Sequence, residues 1–198
     1  MSRIVSRAMG APVVGLALLV GCMQPHPMEM PKKPTASPEM QKLSRFVGNW
    51  TSSWEMVKPT AEEMKKMMPD MPTSGKGGGK YESGWGGLVL NGTMSMDMGT
   101  SMGKVNAEEA WMWDPNAKKY RTFFRSDWNE MGTGWAKWCG DNCICMEAKY
   151  YSPMHGGEVR GEGCMKFVDN DTIEFCWAEK GFLGMTMFEM KGTSKRSK

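Results

Sequence analysis

Sulfur is the chemistry this sequence offers most of. Its 198 residues include 6 Cys and 23 Met, against only 2 His. Five cysteines, Cys139, Cys143, Cys145, Cys164 and Cys176, fall in the last third of the chain. Their thiolates suit disulfide formation or soft-metal binding. Cys164 and Cys176 are equidistant from Asn170, the middle of Asp169-Asn170-Asp171, so a hairpin turning there sets them opposite each other. Cys139 and Cys143 flank Gly140-Asp141-Asn142 in the same way, and Cys145 and Cys164 centre on a loop near Pro153-Met154-His155. One sheet row then carries all five sulfurs on one face. The expected disulfides are Cys164–Cys176 and Cys139–Cys143, with Cys145 between them permitting exchange. The alternative is a thiolate metal site from Cys139, Cys143, Cys145 and Cys164, although Cys-x3-Cys-x-Cys is not a zinc-knuckle spacing. His26 and His155 are too few for a His-rich metal centre, and His155, alone in a loop, reads as solvated.

Methionine takes positions where Leu or Ile is usual. Met94, Met96 and Met98 share one face at period two, as do Met185 and Met187, and read as fillers of a core or lumen. The functional alternative is copper(I) held by Met94, Met96 and Met98 with Cys145, since thioethers select that ion. A Met-rich chain also suits oxidant scavenging, because the sulfoxide is reversible. Trp50 pairs by periodicity with Trp54, and Trp111 with Trp113, whereas Trp135 and Trp138 cannot both point inward from an unbroken strand. No Ser-x-x-Lys, Gly-x-Ser-x-Gly, phosphate loop or paired-His motif is present, so the chain reads as a non-enzyme without a cofactor. A net charge of +3, from 25 Lys+Arg and 22 Asp+Glu, is not the basic face of a nucleic-acid binder.

The elements that must position these residues are mostly strands. Ser37-Pro38 opens a short helix with Met40, Leu43 and Phe46 on its apolar side. Asn49 to Val57 alternates, with Trp50, Ser52, Trp54 and Met56 on one face. Thr60 to Glu63 is a capping box starting a helix with Met64, Met67 and Met68 on one side. Gly75 to Gly79 reads as a connector. From Lys80 onward about nine strands follow at short intervals, with Asn91-Gly92 the strongest hairpin signal. Such short loops exclude parallel crossovers. So many antiparallel strands leave exposed edges unless the sheet closes into a barrel, whose interior is filled or holds one small ligand.

The N-terminus is an address. Arg3 and Arg7 precede an apolar run from Ala11 to Val20, too short to span a bilayer. It ends Leu19-Val20-Gly21-Cys22, which resembles the lipobox of bacterial lipoproteins. That resemblance implies cleavage before Cys22, its acylation, and an envelope location, with an outer-membrane anchor facing the periplasm. The expected domains are a signal peptide at 1–21, a lipidated Pro/Met-rich tether at 22–37, and a barrel at 38–198.

Phe46-Val47-Gly48-Asn49-Trp50 resembles the Gly-x-Trp entry of lipocalin-like (calycin) barrels. Trp113-Asp114-Pro115-Asn116-Ala117-Lys118-Lys119-Tyr120 is similar to a Gly-Tyr-Asp … Lys-Tyr turn, and residues 169–191 resemble a closing hairpin. Together they resemble the uncharacterised bacterial domain-of-unknown-function 1579 family over residues 43–196. The resemblance implies fold and secretion, and no chemistry. The expected architecture is thus mostly β: an antiparallel up-and-down lipocalin-like barrel with one or two short N-terminal helices. The expected function is binding of a small apolar ligand, with Trp54, Trp111, Trp113, Met94, Met96 and Met98 lining the site. The Met64–Met68 helix is placed near one mouth.

Overall fold

A computed structural model describes residues 32–99, 103–153, 155–181 and 184–197. The signal peptide, Cys22 and His26 lie outside the described residues. Ser37 caps α1 (Pro38–Lys42) by accepting the Met40 N–H at 3.2 Å, and α1 runs directly into a 3-10 turn at Leu43–Phe46. The chain then enters β1 (Gly48–Lys58). Thr60 and Glu63 form the anticipated capping box of α2 (Ala61–Met67). Nine more strands follow: β2 (Ser74–Gly84), β3 (Val89–Asp97), β4 (Lys104–Asp114), β5 (Lys119–Ser126), β6 (Met131–Gly140), β7 (Cys143–Ser152), β8 (Gly157–Phe167), β9 (Thr172–Lys180) and β10 (Thr186–Arg196).

All ten strands form one closed antiparallel barrel in which each pairs with its sequence neighbour and β1 pairs with both β2 and β10. Closure leaves no sheet edge unpaired. Strand alternation sends Trp50, Ser52, Trp54 and Met56 inward and Thr51, Ser53 and Glu55 outward. The outer wall mixes exposed apolar side chains such as Met112 and Phe123 with cross-strand ion pairs such as Arg125–Glu108 at 2.6 Å and Lys180–Glu162 at 2.6 Å.

One end of the barrel is plugged. Met40, Leu43 and Phe46 drop from α1 and the 3-10 turn onto Trp50, Tyr81, Leu90, Trp111, Tyr120, Ile144, Phe167 and Ile173. Phe46 meets Phe167 edge-on at 4.8 Å. Full burial of one such side chain is worth about 1.5–3 kcal/mol. The plug is also tied by polar contacts: Trp50 Nε1 donates to Phe46 O at 2.7 Å and Tyr120 Oη to Glu39 O at 2.9 Å. Arg196 closes the seam, its guanidinium 4.4 Å from the Trp50 ring centroid and donating to Arg45 O at 2.8 Å and Asn170 O at 3.0 Å. The opposite end carries α2, whose Met64 packs with Met56 and Met71, and with Met98 and Phe188 beside them.

Three local expectations are corrected. Gly75 to Gly79 is part of β2, because closure needs a strand there to pair with both β1 and β3. Asn91-Gly92 lies inside β3 and makes no turn; the chain reverses at Gly84–Val89 instead, where Trp85, Gly86 and Gly87 take positive φ. Gly92 serves the interior: a Cβ on it would stand 2.6 Å from Cε1 of Tyr81. Met67 and Met68 are exposed on α2, and Met71 joins Met64 in the buried cluster in their place.

Candidate functional site

Strand parity decides what faces the lumen. Trp54 on β1, Met94 and Met96 on β3, and Trp111 and Trp113 on β4 all point inward, while Met98, just past β3, packs against the methionine cluster under α2. All six residues expected to line a ligand site therefore face the interior or its α2 end. Trp111 and Trp113 belong to or lean on the plugged half, and Trp54 stands toward the α2 half.

Aromatic rings occupy the lumen by lying flat on inward-facing glycines. Cβ atoms built on Gly161 and Gly163 would come within 2.7 Å of the Trp177 indole, and one on Gly132 within 2.7 Å of Phe124. Trp54 lies across Gly75 in the same way, at 2.8 Å. Rings pressed against the wall leave the axis less filled than rings projecting across it. Accordingly Ser52, Met94, Glu109, Thr122 and Trp113, whose side chains face the inside of a closed wall, all retain accessible surface.

Polar groups face the lumen as well. Tyr81 Oη donates to Glu109 Oε1 and lies 4.0 Å from Met94 Sδ. Burial raises the Glu109 carboxyl above the ordinary carboxylate range, opposed by donation from Tyr81 and by the nearby Trp111 indole. Burial, reinforced by the Glu109 charge, pushes the Tyr81 phenol well up, so it remains a donor. Toward the α2 end, Tyr150 Oη donates to Glu179 Oε1, His155 Nε2 contacts Glu179 Oε2 at 2.8 Å, and Trp177 Nε1 donates to Tyr150 Oη at 3.3 Å. Glu130, bonded from Ser126 Oγ at 3.2 Å, is raised by burial and then by the charge of Glu179. The Nε1 atoms of Trp54 and Trp111 are buried without a well-formed hydrogen bond in the protein.

These polar groups escaped the sequence reading. Glu109 sits beside Glu108 in an unremarkable acidic pair, and only strand parity could have marked it as inward. His155, expected to be solvated, is half-buried against Glu179, because the β7–β8 turn folds its ring toward the end of β9. Arg196 had no signal beyond its place in the last strand.

The cysteines lie on the other side of the wall. Register sets Cys145 opposite Cys164, and Cys164 opposite Cys176, as the loop arithmetic requires. Met146, Gly163 and Trp177 occupy the neighbouring inward positions, so this row faces outward. The expected Cys164–Cys176 bridge is not formed: the register sets the two opposite each other, but both are thiols, with sulfurs 2.8 Å apart. The expected Cys139–Cys143 bridge is replaced by Cys139–Cys145, with Cys143 a thiol 3.3 Å from Cys139 Sγ. The reason is the turn. It has two residues, Asp141-Asn142, so Gly140 pairs with Cys143, and a bulge between Trp138 and Gly140 leaves Cys139, already on the outer face, without a cross-strand partner and bonded to Cys145. The copper alternative of Met94, Met96, Met98 and Cys145 is also overturned. The barrel wall separates the inward Met94 and Met96 from the outward Cys145. Of the thiolate set, the sulfurs of Cys139, Cys143 and Cys145 lie within 4.8 Å of one another, but Cys139 and Cys145 are bonded to each other and offer no thiolate in this state.

No protein-family model and no curated protein sequence matches the chain. Among solved structures, the chain is similar to Rv2717c from M. tuberculosis, with a TM-score of 0.57 and 14% identity over 82% of this chain and 99% of that one. It also aligns, at a TM-score of 0.41 and 11% identity, with EF1p2_mFAP2b bound to DFHBI over 80% of this chain and 98% of that one. A redesigned β-barrel, mFAP1, bound to DFHBI, aligns at 0.36 and 14% identity over 81% of this chain and all 100% of that one. At these identities the likeness concerns fold, and the fold is a closed antiparallel ten-stranded β-barrel.

Proposed function

We propose that the protein is a non-enzymatic binder of a small, mainly apolar molecule, taken into the lumen from the α2 end. One observation carries this reading: the buried Trp54 indole N–H lacks a partner beside inward side chains that keep accessible surface. A buried donor left unpaired costs about 1–3 kcal/mol, so an acceptor supplied by a guest has something to gain there. Trp54, Met94 and Met96 offer apolar, polarisable contact, and Glu109 and Tyr81 a polar end point. The guest this describes has an apolar body and at least one hydrogen-bond acceptor.

The lipobox-like Leu19-Val20-Gly21-Cys22 supports a further part of the proposal: the barrel is tethered by acylated Cys22 to the outer membrane, facing the periplasm. The lipocalin-like motif at Phe46–Trp50 fits the same picture of a secreted carrier. Expression of Cys22→Ser tests the anchor, with the protein expected to move from the membrane to the soluble fraction.

Lumen binding is tested with N-phenyl-1-naphthylamine, a neutral apolar dye, titrated into the full chain while dye and tryptophan emission are followed. Saturable one-to-one binding is expected. Ala107→Trp, which inserts a ring from β4 into the lumen, should abolish it while leaving circular dichroism unchanged. Absence of saturable binding by the parent, or equal binding by a folded Ala107→Trp variant, rules the reading out.

A further inference from the structure

The outer wall carries a row of five cysteines that ligand binding in the lumen does not use. Cys143 stands 3.3 Å from Cys139, Cys139 is bonded to Cys145, Cys145 faces Cys164 across β7 and β8, and Cys164 lies 2.8 Å from Cys176. Five sulfurs form at most two disulfides, so one thiol is always left over. Two grooves border the row and give reagents access. One, of about 520 Å³, is lined by Cys145 and Cys176; the other, of about 740 Å³, by Cys164 and Cys176.

We propose that this row supports thiol–disulfide exchange in which Cys143 is the attacking thiol and the free thiol passes from Cys143 to Cys145, with Cys164 and Cys176 as a separate dithiol beside it. In the first step the Cys143 thiolate attacks Cys139 Sγ. The Cys139–Cys143 bond forms, the Cys139–Cys145 bond breaks, and Cys145 leaves as a thiolate that takes up the proton Cys143 released to solvent. Nothing is oxidised or reduced overall. The new Cys145 thiolate stands opposite Cys164 on the next strand. In the second step a small-molecule disulfide such as oxidised glutathione accepts two electrons and two protons from Cys164 and Cys176. It leaves as two thiols, and Cys164–Cys176 forms. Burial and the adjacent Cys164 push the Cys176 thiol up to about 11, which makes it a poor attacking group, whereas Cys143 stands 3.3 Å from the bridged Cys139.

The exchange predicts where a thiol label goes. The full chain, purified without reductant, is labelled with N-ethylmaleimide, acid-quenched, and its disulfides mapped by mass spectrometry. Exchange places label on Cys145 as well as on Cys143, and recovers both Cys139–Cys145 and Cys139–Cys143 peptides. Cys143→Ser should cut the label at Cys145 to background while circular dichroism stays native. Oxidised glutathione should add Cys164–Cys176 and remove label from both residues. Label on Cys143 but not on Cys145 in the parent, with Cys139–Cys145 the single bridge recovered, overturns the proposal. So does protection of Cys139, Cys143 and Cys145 together that is lifted by a chelator, because the cluster then holds a metal ion.

Discussion

Replacing Gly161 with alanine tests how the barrel arranges its interior. In a generic strand this change is favourable: it restricts the unfolded chain and gains about 0.4–1 kcal/mol. Here the added methyl carbon would sit 2.6 Å from Cε2 and 2.7 Å from Cη2 of Trp177, and nearer still to Cζ2. Carbon atoms in contact prefer about 3.5–4.0 Å, so the indole must lift by roughly 1 Å or more. Lifting it disturbs the 3.3 Å donation from Trp177 Nε1 to Tyr150 Oη, whose phenol holds Glu179. Overpacking of this kind costs about 1–3 kcal/mol. The balance is a net loss of about 1–2 kcal/mol. Urea unfolding reads this as a lower midpoint at unchanged slope. The coupling is the sharper readout. In a Trp177→Ala background the obstacle is gone, and Gly161→Ala should become neutral or stabilising, a non-additive result. If Gly161→Ala is as stable as the parent, or costs the same with and without Trp177, the ring-on-glycine account of the lumen is wrong.

Two further predictions concern stability. Phe46→Ala empties the centre of the plug, where Phe46 is 1% exposed and touches Tyr81, Trp111 and Phe167; urea unfolding should show a loss of about 3–5 kcal/mol. A loss under 1 kcal/mol would mean that the plug does not hold the barrel shut. Glu109 makes stability depend on pH with a definite sign. Its folded pKa lies above the unfolded value of about 4.5, so the folded state holds its proton more tightly. The resulting stabilisation is complete below pH 4.5 and is lost as pH rises through the folded pKa. Glu109→Gln should therefore lose less stability than the parent between pH 4.5 and neutrality, and parallel denaturation profiles for the two proteins would refute the assignment.

Strand existence was readable because period-two alternation is a local property. Trp50, Ser52, Trp54 and Met56 show it within seven residues, and hairpin arithmetic around Asn170 set Cys164 against Cys176 before any coordinate. Turn chemistry misled where glycine had two uses. Asn91-Gly92 carries the residues of a tight turn, yet Gly92 is there to admit the Tyr81 ring, a demand that comes from a different strand. Helix caps read correctly at Ser37 and Thr60 because a cap is settled within four residues.

What the amino-acid order determined by itself is therefore the set of local decisions: which segments extend, where two helices start, which face of each strand is apolar, and that the sulfurs share a row. Tertiary structure alone decided the partners across strands distant in sequence. Closure paired β1 with β10, drew Gly75 to Gly79 into the wall, set Glu109 under Tyr81 and His155 against Glu179, and let a one-residue bulge trade Cys143 for Cys145 as the partner of Cys139. The physical reason is that alternation tells a side chain only in from out. Which groups it meets inside depends on the register of strands that a curved, closed sheet brings together.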